Sequence, residues 1–155
     1  MLSEVAFRPA VIRTERLLLR PWEPDDADAV FAYASDPEVA RYMFWPRHQS
    51  VADAHFYLNE IVAERYERGC LLYAISPIDV PELAIGGISL EWKPVEHQIM
   101  ELSYVLARDR WGKGLVPEAG RALLAHAFLE TQVERIYAPI FAENVKSRRA
   151  AEKIG

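Results

Sequence analysis

The sequence predicts an α/β (α+β) domain in which a mixed, mostly antiparallel central sheet is flanked by helices. Three observations carry this expectation. Three apolar, strand-like runs follow one another in mid-chain, CLLYAIS (70–76), LAIGGISLEW (83–92) and HQIMELSYVL (97–106), joined by turns rich in proline and charge. Short connections of that kind join antiparallel neighbours. In the second half, helix and strand alternate, which requires a crossover and parallel pairing. Residues 50–69 place Val51, Ala54, Leu58, Ile61 and Val62 on one face of a helix, the stripe that a helix resting on a sheet must bury.

The elements follow in order. ERLLLRPW (15–22) has the short apolar character of a strand, closed by Pro21 and Pro24. EPDDADAVFAYA (23–34) reads as a helix whose first turn holds a proline and two aspartates, where a missing N–H costs nothing and the helix dipole favours negative charge. The helix over 50–69 starts at Ser50 as N-cap and has Gly69 beyond its end. Gly86-Gly87, inside the second strand run, signals a bulge or a close backbone approach. A helix is expected over 117–130, a strand over ERIYAPIFA (134–142), and a short helix from Asn144. With no repeat, low-complexity tract or Gly/Ser linker, one domain over residues 1–155 is expected.

Composition narrows the function classes. The chain is 51% hydrophobic and 26% charged, and no apolar run approaches the roughly 18 residues of a membrane span. The N-terminus lacks a basic segment followed by an apolar core, so no secretory signal is read and a cytoplasmic location is expected. A single cysteine, Cys70, agrees with that and reads as a small core residue in an apolar strand. The net charge of −5 argues against a nucleic-acid-binding surface spread over the molecule and mildly favours cationic partners. His48, His55, His97 and His126 form no metal-ligand spacing, so no metal is expected. Tyr42, Phe44 and Trp45 lie before the long helix, either as core or as the lining of a pocket for a substrate.

The stretch WGKGLVPEA (111–119) sits between a strand and a helix, where backbone N–H groups can converge on an anion. It is neither a Walker loop, because Lys113 is followed by Gly114, nor a dinucleotide fingerprint, because the third glycine position is Pro117. An ordinary left-handed turn before a helix and a seat for a phosphate both remain open on this stretch alone.

Four segments in order, TERLLLRPWEPDDADAVFAY, LAIGGISL, ELSYVLARDRWGKGLVPEA and ENVKSRRAAEKIG, resemble the GNAT superfamily of acetyl-coenzyme A dependent N-acetyltransferases over nearly the whole chain. The match is best to the branch related to ribosomal-protein N-terminal (alanine) acetyltransferases. The family's loop pattern, Gln/Arg-x-x-Gly-x-Gly/Ala, falls on Asp109 to Gly114, with Asp109 departing from it. The resemblance implies a GNAT-like fold and acetyl-CoA as co-substrate. Its pyrophosphate would lie on the N–H groups from Trp111 through Gly112, Lys113, Gly114 and Leu115 to Val116, with Arg110 and Lys113 adding positive charge. The pantetheine arm would pair with the backbone of Tyr104, Val105 and Leu106, whose side chains are read as core. Asn144 would contact the same arm, beside its plain role as an N-cap, and Ser147 or a nearby tyrosine would assist the departing thiolate.

The chemistry so implied is direct attack of a neutral amine on the thioester, which needs a proton acceptor but no enzyme nucleophile. Glu101, on the strand that holds the co-substrate and on one face with Ser103 and Val105, is the candidate base; its plain reading is a strand-edge carboxylate facing water. The acceptor would be a protein α-amine or a small-molecule amine. The family's domain continues past Lys-x-Gly-Phe into two further strands, whereas this sequence stops at Gly155: either the sequence is truncated, or a partner supplies the missing strands, or part of the site is lost, and an unpaired edge beside the fifth strand would invite a homodimer or strand exchange. A non-catalytic acyl-CoA-binding module or scaffold of the same fold is the alternative.

Overall fold

In the computed structural model, which describes residues 1–93 and 98–155, six strands lie side by side in chain order. They are β1 (Ile12–Arg13), β2 (Leu17–Arg20), β3 (Leu71–Pro77), β4 (Gly86–Trp92), β5 (Ile99–Leu106) and β6 (Arg135–Tyr137). All neighbours are antiparallel except β5 and β6, which are parallel. The meander and the later parallel pair are thus as the sequence predicts. The third predicted run begins at His97, which lies outside the described residues.

β3 is buried on both faces over Leu71–Ser76, which is why CLLYAIS reads as a continuous apolar run and not as an alternation. Leu71, Tyr73 and Ile75 join Leu17, Leu19, Ile88, Leu90, Met100 and Leu102 in a core against Leu115, Ala119, Leu123 and Ala127 of helix α5 (Leu115–Glu130). Leu72 and Ala74 face the other way, into a second core with Trp22, Val30, Leu58, Val62 and Tyr66. Those residues come from β2's exit, helix α1 (Ala27–Ala34), and the helical stretch made of α3 (Val51–Phe56), a π-helical segment (Tyr57–Val62) and α4 (Ala63–Glu67). A short α2 (Pro37–Ala40) intervenes, and α6 (Val145–Ile154) closes the described chain. α6 packs on α5 so closely that a Cβ on Gly120 would lie 2.5 Å from Ile154 Cδ1.

Four features differ from expectation. The strand expected over 134–142 is only Arg135–Tyr137; Pro139 has no N–H with which to extend a ladder. The helix expected over 50–69 contains the π-helical segment. Its buried residues Ala54, Leu58, Val62 and Tyr66 recur every four positions, a period wider than 3.6, and π winding keeps them on one side. Val51, expected on that face, is 37% exposed. β1 was not anticipated. The Gly86-Gly87 pair, by contrast, resolves in favour of close approach: register is unbroken from Gly86 to Trp92, a Cβ on Gly86 would collide with the Val105 carbonyl oxygen, and one on Gly87 would lie 2.8 Å from Trp22 Cζ2.

Candidate active site

The site starts where two parallel strands part. β5 pairs with β6 only through Ile99, Met100 and Glu101, the last opposite Tyr137. Beyond that point β6 has ended, and β5 runs on from Leu102 to Leu106 with one edge free. Ala107 N–H donates to Ile85 O (2.8 Å), so by the alternation of an antiparallel pair Val105 also turns its backbone groups to β4. Tyr104 and Leu106 turn theirs outward. Of the three residues expected to offer backbone to a pantetheine arm, Val105 is therefore committed to the sheet. The Leu106 carbonyl accepts from Trp111 Nε1 (2.8 Å). The groups left open on this edge are the Tyr104 N–H and C=O and the Leu106 N–H.

Alongside lies a cleft of about 700 Å³. Its walls are Tyr104–Leu106, the loop residues of 110–117 other than Lys113, one side of α6 from Val145 to Lys153 with Glu143 and Asn144 before it, and Glu38 and Val39 of α2 with Arg41, Tyr42 and Met43 after it. Every expected co-substrate residue lines it except Lys113, whose ammonium turns back to the Asp109 carbonyl (3.1 Å). Gly112 and Gly114 both have left-handed backbones (φ 75° and 74°), a conformation that costs other residues about 1 kcal/mol or more. Arg110 and Trp111 turn their N–H groups back to Ala107 and Arg108. The next five, from Gly112 through Lys113, Gly114 and Leu115 to Val116, have no backbone partner among the described residues, the first intrahelical donor being Glu118 to Gly114 O (3.2 Å). Free donors at the start of a 16-residue helix form a ready anion seat. The turn reading and the phosphate reading of WGKGLVPEA are thus compatible.

The loop is braced from behind. Glu118 accepts from Thr14 Oγ1 (2.6 Å), Arg16 N (3.0 Å) and Arg16 Nε (2.7 Å), and Arg16 Nη1 donates to Lys113 O (2.9 Å). Burial pushes the Glu118 carboxyl up, but these hydrogen bonds outweigh it and hold the group below the ordinary value. Asp109, the residue that departs from the family pattern, lines a different cleft beside Asp36 and Arg108.

On the far wall, Asn144 Oδ1 accepts from Ser147 N (3.2 Å) and so acts as the cap of α6. Ser147 Oγ donates to Tyr104 Oη (2.9 Å), which in turn donates to the Ser147 carbonyl (2.8 Å). This corrects the expectation that the Tyr104 side chain is only core: its phenol is paired with Ser147 at the cleft. Burial raises its pKa while the Ser147 hydrogen bond works the other way. It also qualifies Ser147 as a proton donor, since its hydroxyl proton is already aimed at Tyr104.

Glu101 does not line the cleft but stands at the fork beside it. Its Oε2 accepts from Lys93 Nζ (3.0 Å) and Tyr137 Oη (3.1 Å), so the carboxylate is paired while its side chain keeps 26% of its surface open to water. Ser103, on the same face, is hydrogen-bonded to Ser89 (2.9 Å between hydroxyl oxygens).

Among the described residues no group of His, Cys, Asp and Glu is arranged to hold a metal. Cys70 is free and buried, with its thiol pushed up by burial. Phe44 stacks on Phe141 (5.1 Å between centroids), Tyr42 tilts towards the same ring, and Tyr42 lines the cleft; Trp45 instead packs on His48.

Residues that sequence reasoning missed also line the cleft. Lys146, Arg149 and Lys153 form a row along α6 at spacings of three and four, facing Arg110 across the opening, with Lys146 4.7 Å from the centroid of the Trp111 ring. That helical spacing was visible in the sequence. The Lys93–Glu101–Tyr137 contact was not, because it depends on strand register.

A loop of free N–H groups before a helix, a basic wall and a splayed parallel edge together suit an extended, anionic acyl carrier. The chain matches the acetyltransferase (GNAT) domain over residues 16–155 and belongs to that family. The N-acetyltransferase p20 of Bacillus licheniformis, itself uncharacterised, is 34% identical over 134 residues, covering 86% of this chain and 75% of that protein. YdaF of Bacillus subtilis (strain 168), provisionally named a ribosomal N-acetyltransferase, is 27% identical, covering 91% and 78%. The crystal structure of a GNAT-family acetyltransferase from Bacillus anthracis superposes with a TM-score of 0.82 at 29% identity, covering 94% of this chain and 82% of that one. The protein is accordingly an acetyl-CoA-dependent N-acetyltransferase, with acetyl-CoA as its co-substrate. Nothing in the fold or the relatives favours the non-catalytic reading. No helix among the described residues is long and apolar enough to cross a membrane.

Proposed function

We propose that this enzyme acetylates a primary amine by direct attack on the thioester, with Glu101 as the general base and a protein N-terminal α-amine as the acceptor class. The observation that carries this reading is the fork between β5 and β6, which brings a carboxylate, an open strand edge and a row of free N–H groups to one side of the molecule.

Acetyl-CoA supplies a thioester whose carbonyl carbon takes the amine's lone pair and whose sulfur leaves as a thiolate. The N–H groups from Gly112 to Val116 hold its pyrophosphate, helped by the α5 dipole and by Arg110. The outward groups of Tyr104 and the Leu106 N–H pair with the amides of its arm, as a sheet edge pairs with an added strand. The Tyr104 N–H also lies on the edge where a thioester carbonyl can be polarised. Asn144 orients α6 and leaves its amide N–H₂ for the arm. Glu101 removes the proton that would otherwise occupy the attacking lone pair.

An α-amine is ionised with a pKa of about 7.7–8.0, against about 10.4 for a lysine-type amine, so a carboxylate base has far less work to do on it near neutral pH. The likeness to YdaF supports the same class. The exposed outer edge of β6 supports, as part of the proposal, a homodimer.

Mass spectrometry of peptides with one α-amine and one lysine, incubated with the enzyme and acetyl-CoA, tests the acceptor: acetylation at the α-amine is expected, and exclusive modification of lysine or of an added polyamine ends that assignment. Glu101→Gln is expected to lower kcat by 10²–10³ (on the order expected for a general base) with little change in acetyl-CoA affinity. Full activity in that variant removes Glu101 from the mechanism.

A further inference from the structure

Glu101 is gripped from two strands on a single oxygen. Lys93, just past the end of β4, and Tyr137, at the last register pair of β6, both donate to Oε2. Among the described residues Oε1 has no hydrogen-bond partner, and the Glu101 side chain is 26% exposed. The surrounding charges are also arranged. Glu91, a like charge, stands directly across from Glu101 in the β4–β5 register. It is neutralised by Arg65 Nε of α4 (2.7 Å), and Arg65 and Arg68 are both tied to Glu64. Two ion pairs thus lie side by side: Glu91 is tied to Arg65 of α4 through Oε1, and Glu101, at the fork, is held through Oε2 with Oε1 left open among the described residues.

We infer that Lys93 and Tyr137 form a clamp that positions the Glu101 carboxylate and presents Oε1 to the incoming amine. They are positioning residues; the inference rests on Glu101 being the base. In the proton transfer, one N–H bond of the ionised amine breaks and an O–H bond forms at Oε1, and the electron pair left on nitrogen forms the N–C bond. As the C–S bond breaks, its pair departs with sulfur, a second N–H bond of the adduct breaks to leave the neutral amide, and the sulfur takes up one proton as a thiol. The proton then passes from Oε1 to solvent, which the partly exposed carboxyl can reach. Without either donor the Glu101 side chain would be free to turn Oε1 away from the amine.

The test is kcat and the KM of each substrate at one fixed pH, for wild type, Lys93→Met, Lys93→Arg and Tyr137→Phe, with thermal melts to confirm folding. Lys93→Met is expected to lower kcat by about tenfold or more, the effect of a loosened catalytic geometry, with the KM for acetyl-CoA little changed. Lys93→Arg restores most of kcat, and Tyr137→Phe lowers it by less. A Lys93→Met variant that keeps the wild-type kcat, while Glu101→Gln is inactive, overturns the clamp. A fully active Glu101→Gln overturns the base reading beneath it.

Discussion

Tyr104 and Ser147 hold each other's protons, and this decides how much either can help the leaving group. Ser147 Oγ–H points at Tyr104 Oη, and Tyr104 Oη–H points at the Ser147 carbonyl. To protonate a thiolate in the cleft, one hydroxyl must turn away from its partner. The phenol is the stronger acid even with its pKa raised by burial, and the serine can then supply it through their shared hydrogen bond. A thiol ionises near 8.5, so a thiolate leaving near neutral pH needs modest help. Tyr104→Phe should therefore lower kcat more than Ser147→Ala, and Ser147→Ala by less than about tenfold, below the usual range for a general acid. Steady-state rates of the two variants measure this, and the reverse order would return the role to Ser147. The motif Asn-x-x-Ser was legible in the sequence because its members are three residues apart. Its tyrosine partner, 43 residues away, was legible as a strand residue but not as a partner.

At the scale of elements, the α5 start is placed by a brace from the β1–β2 hairpin. Glu118 gathers Thr14 and Arg16, 104 and 102 residues distant in sequence, and Arg16 also reaches the Lys113 carbonyl. Glu118 is 15% exposed, so its hydrogen bonds are largely shielded from water. Glu118→Ala should cost about 1–2 kcal/mol for the partners it strands, read as a Tm lower by roughly 3–8 °C. It should also raise the KM for acetyl-CoA, since the anion seat loses its support. The folded-state pKa of Glu118 lies below the ordinary 4.5. Its stabilisation is therefore fully present above that value and is lost as pH falls through the lower folded value. The Tm gap between wild type and variant should be constant from about pH 6 to 8 and narrow below about pH 4.5; a gap that widens in acid would contradict this. The meander and α5 were legible from the sequence because local patterns specify them: apolar runs, turn chemistry and helix caps. The two-residue β1, the π-helical segment and the shortness of β6 were not, since each is set by what the neighbouring element allows. The same division holds in the site, where the contiguous loop 110–117 could be read and the brace behind it could not.

For the molecule as a whole, charge is distributed against its own average. The chain carries a net charge of −5, yet the cleft is lined by Arg41, Arg110, Lys146, Arg149 and Lys153 against only Glu38 and Glu143. An acidic protein with one basic cleft repels polyanions from most of its surface and focuses an acyl carrier with several phosphate charges onto the site. Arg41 stands over the Tyr42 ring and Lys146 over the Trp111 ring, so two of the cations are held against aromatic faces, and Arg41 also lies 4.0 Å from the Glu38 carboxylate. Lys153 and Arg149 lie further along α6, exposed and free to meet phosphate beyond the loop. Screening follows: the Debye length falls from about 10 Å at 0.1 M salt to about 3 Å at 1 M. Raising sodium chloride from about 0.05 to 0.5 M should thus raise the KM for acetyl-CoA several-fold, with kcat little changed, because attack at the fork involves no phosphate. The double variant Arg149→Glu, Lys153→Glu should raise that KM at low salt by about tenfold or more, the effect of about 1.4 kcal/mol. It should also flatten the salt dependence, because the charges being screened are gone. If the amine enters beside Glu101, as proposed, its KM should not follow. If KM for acetyl-CoA proves insensitive to salt, or if the double variant keeps the wild-type salt slope, the basic row on α6 does not touch the co-substrate and its phosphates rest on the Gly112–Val116 N–H groups and Arg110 alone.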